Sequence, residues 1–143
     1  MIVKGSKTKV LVYCVREGRL LVFRHPDHSQ EQVGIQVPGG SVRNGESIRD
    51  AAARELAEET GFGDFLIHEV IGSDRYDISP YRAEIQERHF VRASPSCELP
   101  ERWFGQEDHE GRASPTRLEF FWIPLDAAHV LQAGQGSMIW RLV

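Results

Sequence analysis

The stretch spanning residues 40–62 constrains the chain most, because it dictates a helix of unusual polarity. It carries Glu55, Glu58 and Glu59 at i, i+3 and i+4, a spacing that puts three carboxylates on one helical face. That face is not a solvent face. At about 100° per residue, Ile48, Ala51 and Ala52 project within about 60° of Glu55, whereas Arg49, Asp50, Ala53 and Arg54 point elsewhere. The glutamates therefore end an inward, apolar stripe. They also stand near the helix C-terminus, where the backbone dipole disfavours negative charge. Three inward anions at that end call for a cation, and an oxygen-only ligand set suits a hard divalent ion, Mg²⁺ or Mn²⁺.

The helix has readable ends. Ser47 is the expected N-cap, with Asp50 three residues on in a near-match to a capping box, and Gly61 suits a left-handed C-cap. Ahead of it, Val37-Pro38-Gly39-Gly40 opens a loop closed by Asn44-Gly45. Adjacent glycines let backbone groups approach a metal or phosphate closely.

These residues resemble the box of the Nudix hydrolases. That box is a glycine, five residues, a glutamate, seven residues, then R-E-U-x-E-E-x-G-U, with U apolar. Gly40, Glu46, Arg54, Glu55, Leu56, Glu58, Glu59, Gly61 and Phe62 fill every fixed position at the right spacing. The resemblance implies an α/β fold, an α/β/α sandwich with a curved mixed sheet, whose box helix lines the active cleft. It implies metal-dependent hydrolysis of a diphosphate linkage in a small nucleotide, with Glu55, Glu58, Glu59 and the Gly40 carbonyl on the metal. Glu46 and Arg54, of opposite charge, are expected to orient the loop and the ligands. The general base is expected at Glu59, or outside the box at Glu119, which opens a late strand and is placed at the rim of the cleft.

At 143 residues the chain is read as one domain over residues 1–143. Its net charge of −4 and lack of a basic tail argue against a nucleic-acid polymer as partner. No apolar run approaches the ~18 residues of a membrane helix, and residues 1–5 lack a secretory apolar region. Two cysteines, Cys14 and Cys97, without a CxxC pair fit a cytoplasmic setting. A monomer and a homodimer are both compatible with this reading.

Residues 10–15 and 20–23 read as a hairpin, and residues 66–71, 86–91 and 118–123 as further strands. Residues 126–132 read as a short helix. Residues 94–117 look irregular, and two readings stand: an exposed excursion pinned by two buried aromatics, Trp103 and Phe104, or a functional lid whose Trp103 or Phe104 stacks on a nucleobase. Substrate contacts are expected from Arg24, Gln36, Gly39 and Trp103, with His25, His28, Tyr76, Tyr81, Arg88 and His89 as further candidates. The substrate classes left open are nucleoside triphosphates, dinucleoside polyphosphates and nucleotide sugars. Two other readings compete: a nucleotide sensor that does not cleave, and an enzyme processing RNA 5′ ends. An intact box counts against the sensor, and the acidic net charge counts against the RNA enzyme.

Overall fold

The computed structural model describes residues 5–142, so the N-terminal reading on secretion lies outside the described residues. Seven strands form one mixed sheet. They are β1 (Gly5–Arg16), β2 (Arg19–Arg24), β3 (Gly39–Ser41), β4 (Phe65–Asp77), β5 (Glu84–Pro95), β6 (Arg102–Glu107) and β7 (Thr116–Pro124). Their order is β4-β5-β1-β2-β7-β6, with β3 paired to β1 beside that path. Among the described strands only β1 and β5 run parallel.

The β1–β2 hairpin turns through Glu17 and Gly18, both at positive φ (52° and 73°), which suits the twist of an antiparallel pair. β1 then lies at the centre, apolar on both faces. Val10, Val12 and Cys14 pack towards the helix α1 (Ile48–Thr60) with Ala51, Ala52 and Leu56. Leu11 and Tyr13 pack on the opposite face against Ala128 and Leu131. That second face is covered by two 3₁₀ helices, Leu125–Val130 and Ile139–Leu142, the first of them where a short helix is expected over residues 126–132.

α1 has the ends that its sequence suggests. The Ser47 hydroxyl accepts from the Asp50 amide at 3.1 Å, and Gly61 closes the helix at φ 80° with its amide donating to the Ala57 carbonyl at 3.1 Å.

The expectation of a long loop over residues 94–117 is corrected. Residues 102–107 form β6, an edge strand paired to β7 with Trp103 opposite Phe120 and Glu107 opposite Thr116. Alternation puts Trp103, Gly105 and Glu107 on the α1 side of this strand, and Arg102, Phe104 and Gln106 on the other. Gly105 is needed there, since a β-carbon would overlap the carbonyl of Glu59.

Candidate active site

The α1 glutamates converge under the strand β3. The Gly39 amide donates to Glu59 Oε1 at 2.9 Å. Gly40 leaves room for Glu55, whose carboxylate would overlap a β-carbon at that position. Gly39 is equally constrained, because a β-carbon there would run into the Val10 carbonyl. The double glycine thus lets β3 lie directly on two carboxylates.

Arg54 binds the rest of the box together. Its guanidinium donates to both oxygens of Glu46 at 2.8 and 2.9 Å, to Glu55 at 2.9 Å, and to the Ser41 carbonyl at 2.9 Å. It also meets Glu58 at 3.4 Å, and Arg43 stands 3.8 Å from the other Glu58 oxygen. The Arg54 hydrogen bonds hold Glu46 down at about 2. Burial pushes Glu55 up, against the pull of Arg54, and Glu58 and Glu107 push it further the same way.

Glu59 differs from its neighbours. It is 4% exposed, and among the described residues no arginine, lysine or histidine pairs with it. Burial drives its carboxyl well above the ordinary range, and the charges of Glu55, Glu107 and Glu58 add to the shift. An uncompensated buried carboxylate of this kind is expensive unless a cation joins it.

Among the described residues no three acidic, histidine or cysteine side chains already stand close enough to hold a metal. Arg54 accounts for this, because it draws Glu46, Glu55 and Glu58 to itself. The donor chemistry nevertheless fits a hard divalent ion: oxygen atoms only, one carboxylate buried without a countercharge, and a glycine where any side chain would close the space.

Four expected residues are placed elsewhere: Glu119, Arg24, Trp103 and Arg88. Glu119 pairs opposite Arg24 on β2 and opposite Phe104 on β6, so it shares their face and points away from α1. Arg24 donates to it at 2.5 Å and Arg102 at 3.1 Å. The expectation of Glu119 at the rim of the cleft is thereby corrected, and Arg24 is committed to that ion pair. The cause is strand parity: Phe120 and Leu118 face α1, and the residue between them cannot. Trp103 is also corrected. Its indole donates to the Thr60 carbonyl at 2.9 Å, stacks on Phe120 with centroids 5.2 Å apart and meets Phe62 edge-on. It anchors β6 to the end of α1 rather than offering a face to a base. Arg88 is likewise structural, fully buried in a two-pronged pair with Asp74.

Gln36 bridges Phe23 through reciprocal backbone hydrogen bonds of 2.9 and 3.0 Å and so shares its α1-side face. Glu107, hidden in the supposed loop, is a residue that the sequence reading missed. It follows Gly105 on the same side of β6 and lies within electrostatic reach of Glu55, Glu59 and His25. Only the strand alternation of W-x-G-x-E could have pointed to it.

A NUDIX domain model matches residues 5–140. The chain belongs to the Nudix hydrolase family. No curated protein matches its sequence significantly. Among solved structures, this Nudix chain is similar to the MutT NUDIX hydrolase of Burkholderia pseudomallei, with a TM-score of 0.71 and 19% identity over 98% of this chain and 100% of that one. A UDP-X diphosphatase gives a TM-score of 0.67 and 13% identity over 96% of this chain, which spans 62% of that protein's length. An ADP-ribose pyrophosphatase of Streptococcus suis gives 0.63 and 15%, over 94% and 87%. At these identities the likeness is one of fold: a curved mixed sheet with the box helix packed against it.

Proposed function

We propose that this Nudix domain is a divalent-metal-dependent pyrophosphohydrolase. It acts on the diphosphate linkage of a small nucleoside diphosphate derivative: a nucleoside triphosphate, a dinucleoside polyphosphate or a nucleotide sugar. The observation that carries the reading is Glu59, buried without a cationic partner beside Glu55 and Glu58. Two proteins of the same fold, a UDP-X diphosphatase and an ADP-ribose pyrophosphatase, support the substrate class.

Glu55, Glu58, Glu59 and the Gly40 carbonyl would hold Mg²⁺ or Mn²⁺, with Glu107 as a further oxygen donor. When bound, such an ion supplies Lewis acidity at a phosphoryl oxygen and acidifies a water. The chain's own residues do the rest. The Gly39 amide orients Glu59, which accepts the proton of the attacking water. Arg54 and Glu46 lock the loop of residues 41–46 onto α1 and keep Glu55 in register with Gly40. Gln36 and Gly39 border the path by which the diphosphate enters.

The test is phosphate or nucleotide release from a panel of nucleoside diphosphate derivatives with Mg²⁺. Turnover of at least one class above a heat-killed control supports the reading. No turnover of any, with nucleotide binding intact, would leave a sensor.

A further inference from the structure

β2 ends at Arg24, and the chain continues through His25. Alternation from Phe23 places His25 on the α1 side, where its ring meets Phe23 edge-on with centroids 5.7 Å apart. His25 Nδ1 is shielded from solvent and, among the described residues, has no hydrogen-bond partner. Buried polar atoms are almost always paired, so a lone one marks unused bonding capacity.

The surroundings of this nitrogen are chemically specific. Glu107, on the α1 side of β6, lies within electrostatic reach of His25 and also of Glu55 and Glu59. His28 stands beside it with ring centroids 6.0 Å apart, and His109, within the same field, is held by the Thr116 hydroxyl at 2.6 Å. Burial, with these two imidazoles adding, pushes His25 below its ordinary value against the pull of Glu107.

Donors for an anionic substrate are scarce here. Arg54 is spent on Glu46, Glu55 and Glu58, the Gly39 amide on Glu59, and Arg24 faces away and binds Glu119. A diphosphate entering among carboxylates needs hydrogen-bond donors from the protein.

We propose that His25 is a substrate-binding residue that donates from Nδ1 to a non-bridging phosphoryl oxygen of the diphosphate. This assignment rests on the proposed function in its ligand class, a diphosphate. The imidazole supplies the donor when Nδ1 carries a proton. Rotation about χ2, a torsion without sharp wells in histidine, carries Nδ1 from its shielded side to the open one.

The test uses the position of the nitrogen. Asparagine places an amide group where Nδ1 sits, and glutamine places one where Nε2 sits. His25→Ala, His25→Asn and His25→Gln are compared with the parent in two assays: calorimetric binding of methylenediphosphonate with Mg²⁺, and KM and kcat on the best substrate of the panel. His25→Ala and His25→Gln should weaken methylenediphosphonate about tenfold or more and raise KM by a similar factor, while His25→Asn stays within about threefold of the parent. If the alanine variant does not fold, the asparagine–glutamine pair decides alone. Parental affinity in every variant, rescue by glutamine rather than asparagine, or a parent that does not bind the probe would each overturn the assignment. A parent that binds the probe through His25 but hydrolyses nothing in the panel would instead overturn the proposed function and leave His25 standing.

Discussion

Glu59 and Glu119 are a natural pair for comparison. Both are buried carboxylates, 4% and 6% exposed, and both sit in the same half of the molecule, on opposite faces of the β7–β6 sheet. Glu119 is ringed by cations. Burial pushes it up, but hydrogen bonds from Arg24 and Arg102 outweigh that effect and hold it below the ordinary carboxylate value. Among the described residues Glu59 has a single backbone donor and three anionic neighbours, and its carboxyl is driven the other way. A buried charge that has its countercharge built in serves the fold. One that lacks it is incomplete as the chain stands, and that asymmetry sets the structural acid apart from the one proposed to hold the metal.

The largest expected effect is on activity. EDTA should abolish turnover, and Mg²⁺ or Mn²⁺ should restore it; full activity in excess chelator would remove the distinction between the two acids. Next come Glu59→Gln and Glu58→Gln, each expected to lower kcat by at least about a hundredfold. Neither should destabilise the metal-free chain, because each removes one of several crowded anions near a helix C-terminus. Melting in EDTA, parent against variant, checks this.

The two acids should also differ in the sign of their pH response. Glu59 is raised, so the metal-free folded chain retains a proton that the unfolded chain releases. In EDTA its contribution therefore falls as pH rises from the ordinary carboxylate value through the raised one. Glu119 is lowered, so its contribution is present above the ordinary value and is lost as pH falls through the lowered one. Melting curves in EDTA from about pH 4 to 8 for Glu59→Gln and Glu119→Gln should diverge from the parent in opposite directions. The smallest effect is that of Glu119→Gln at neutral pH: a melting temperature lower by about 3–6 °C, or ~1 kcal/mol, with kcat unchanged. A large fall in kcat without a fall in melting temperature would return Glu119 to the catalytic group.

The box helix was legible because its determinants are local. Cap, stripe and carboxylate spacing all lie within residues 47–61, and the helix forms as they indicate. β6 was not legible, because R-W-F-G-Q-E interrupts a short strand with a glycine that only the nearby Glu59 carbonyl explains. Glu119 was misplaced for a related reason. In L-E-F-F-W apolar residues flank the glutamate on both faces, since β7 is packed on both sides, and periodicity alone does not say which face meets α1. Glu107 and His25 follow from the same missing fact, as their orientation depends on pairings made by distant strands.

Strand alternation also bears on how this chain can diversify. Arg24 and His25 are neighbours in sequence, yet one completes an ion pair on the far face and the other lies on the α1 side within electrostatic reach of Glu107. Inserting a single residue within β2 would exchange their faces, stranding Glu119 and turning an arginine towards the proposed diphosphate site. Between His25 and Gly34 the backbone bonds are those of local turns, and the Phe23–Gln36 bridge re-anchors the chain beyond them. Length changes are therefore tolerable in that interval and disruptive just before it. A designer seeking new nucleotide preference has a freely adjustable segment bounded by a register that must stay as it is.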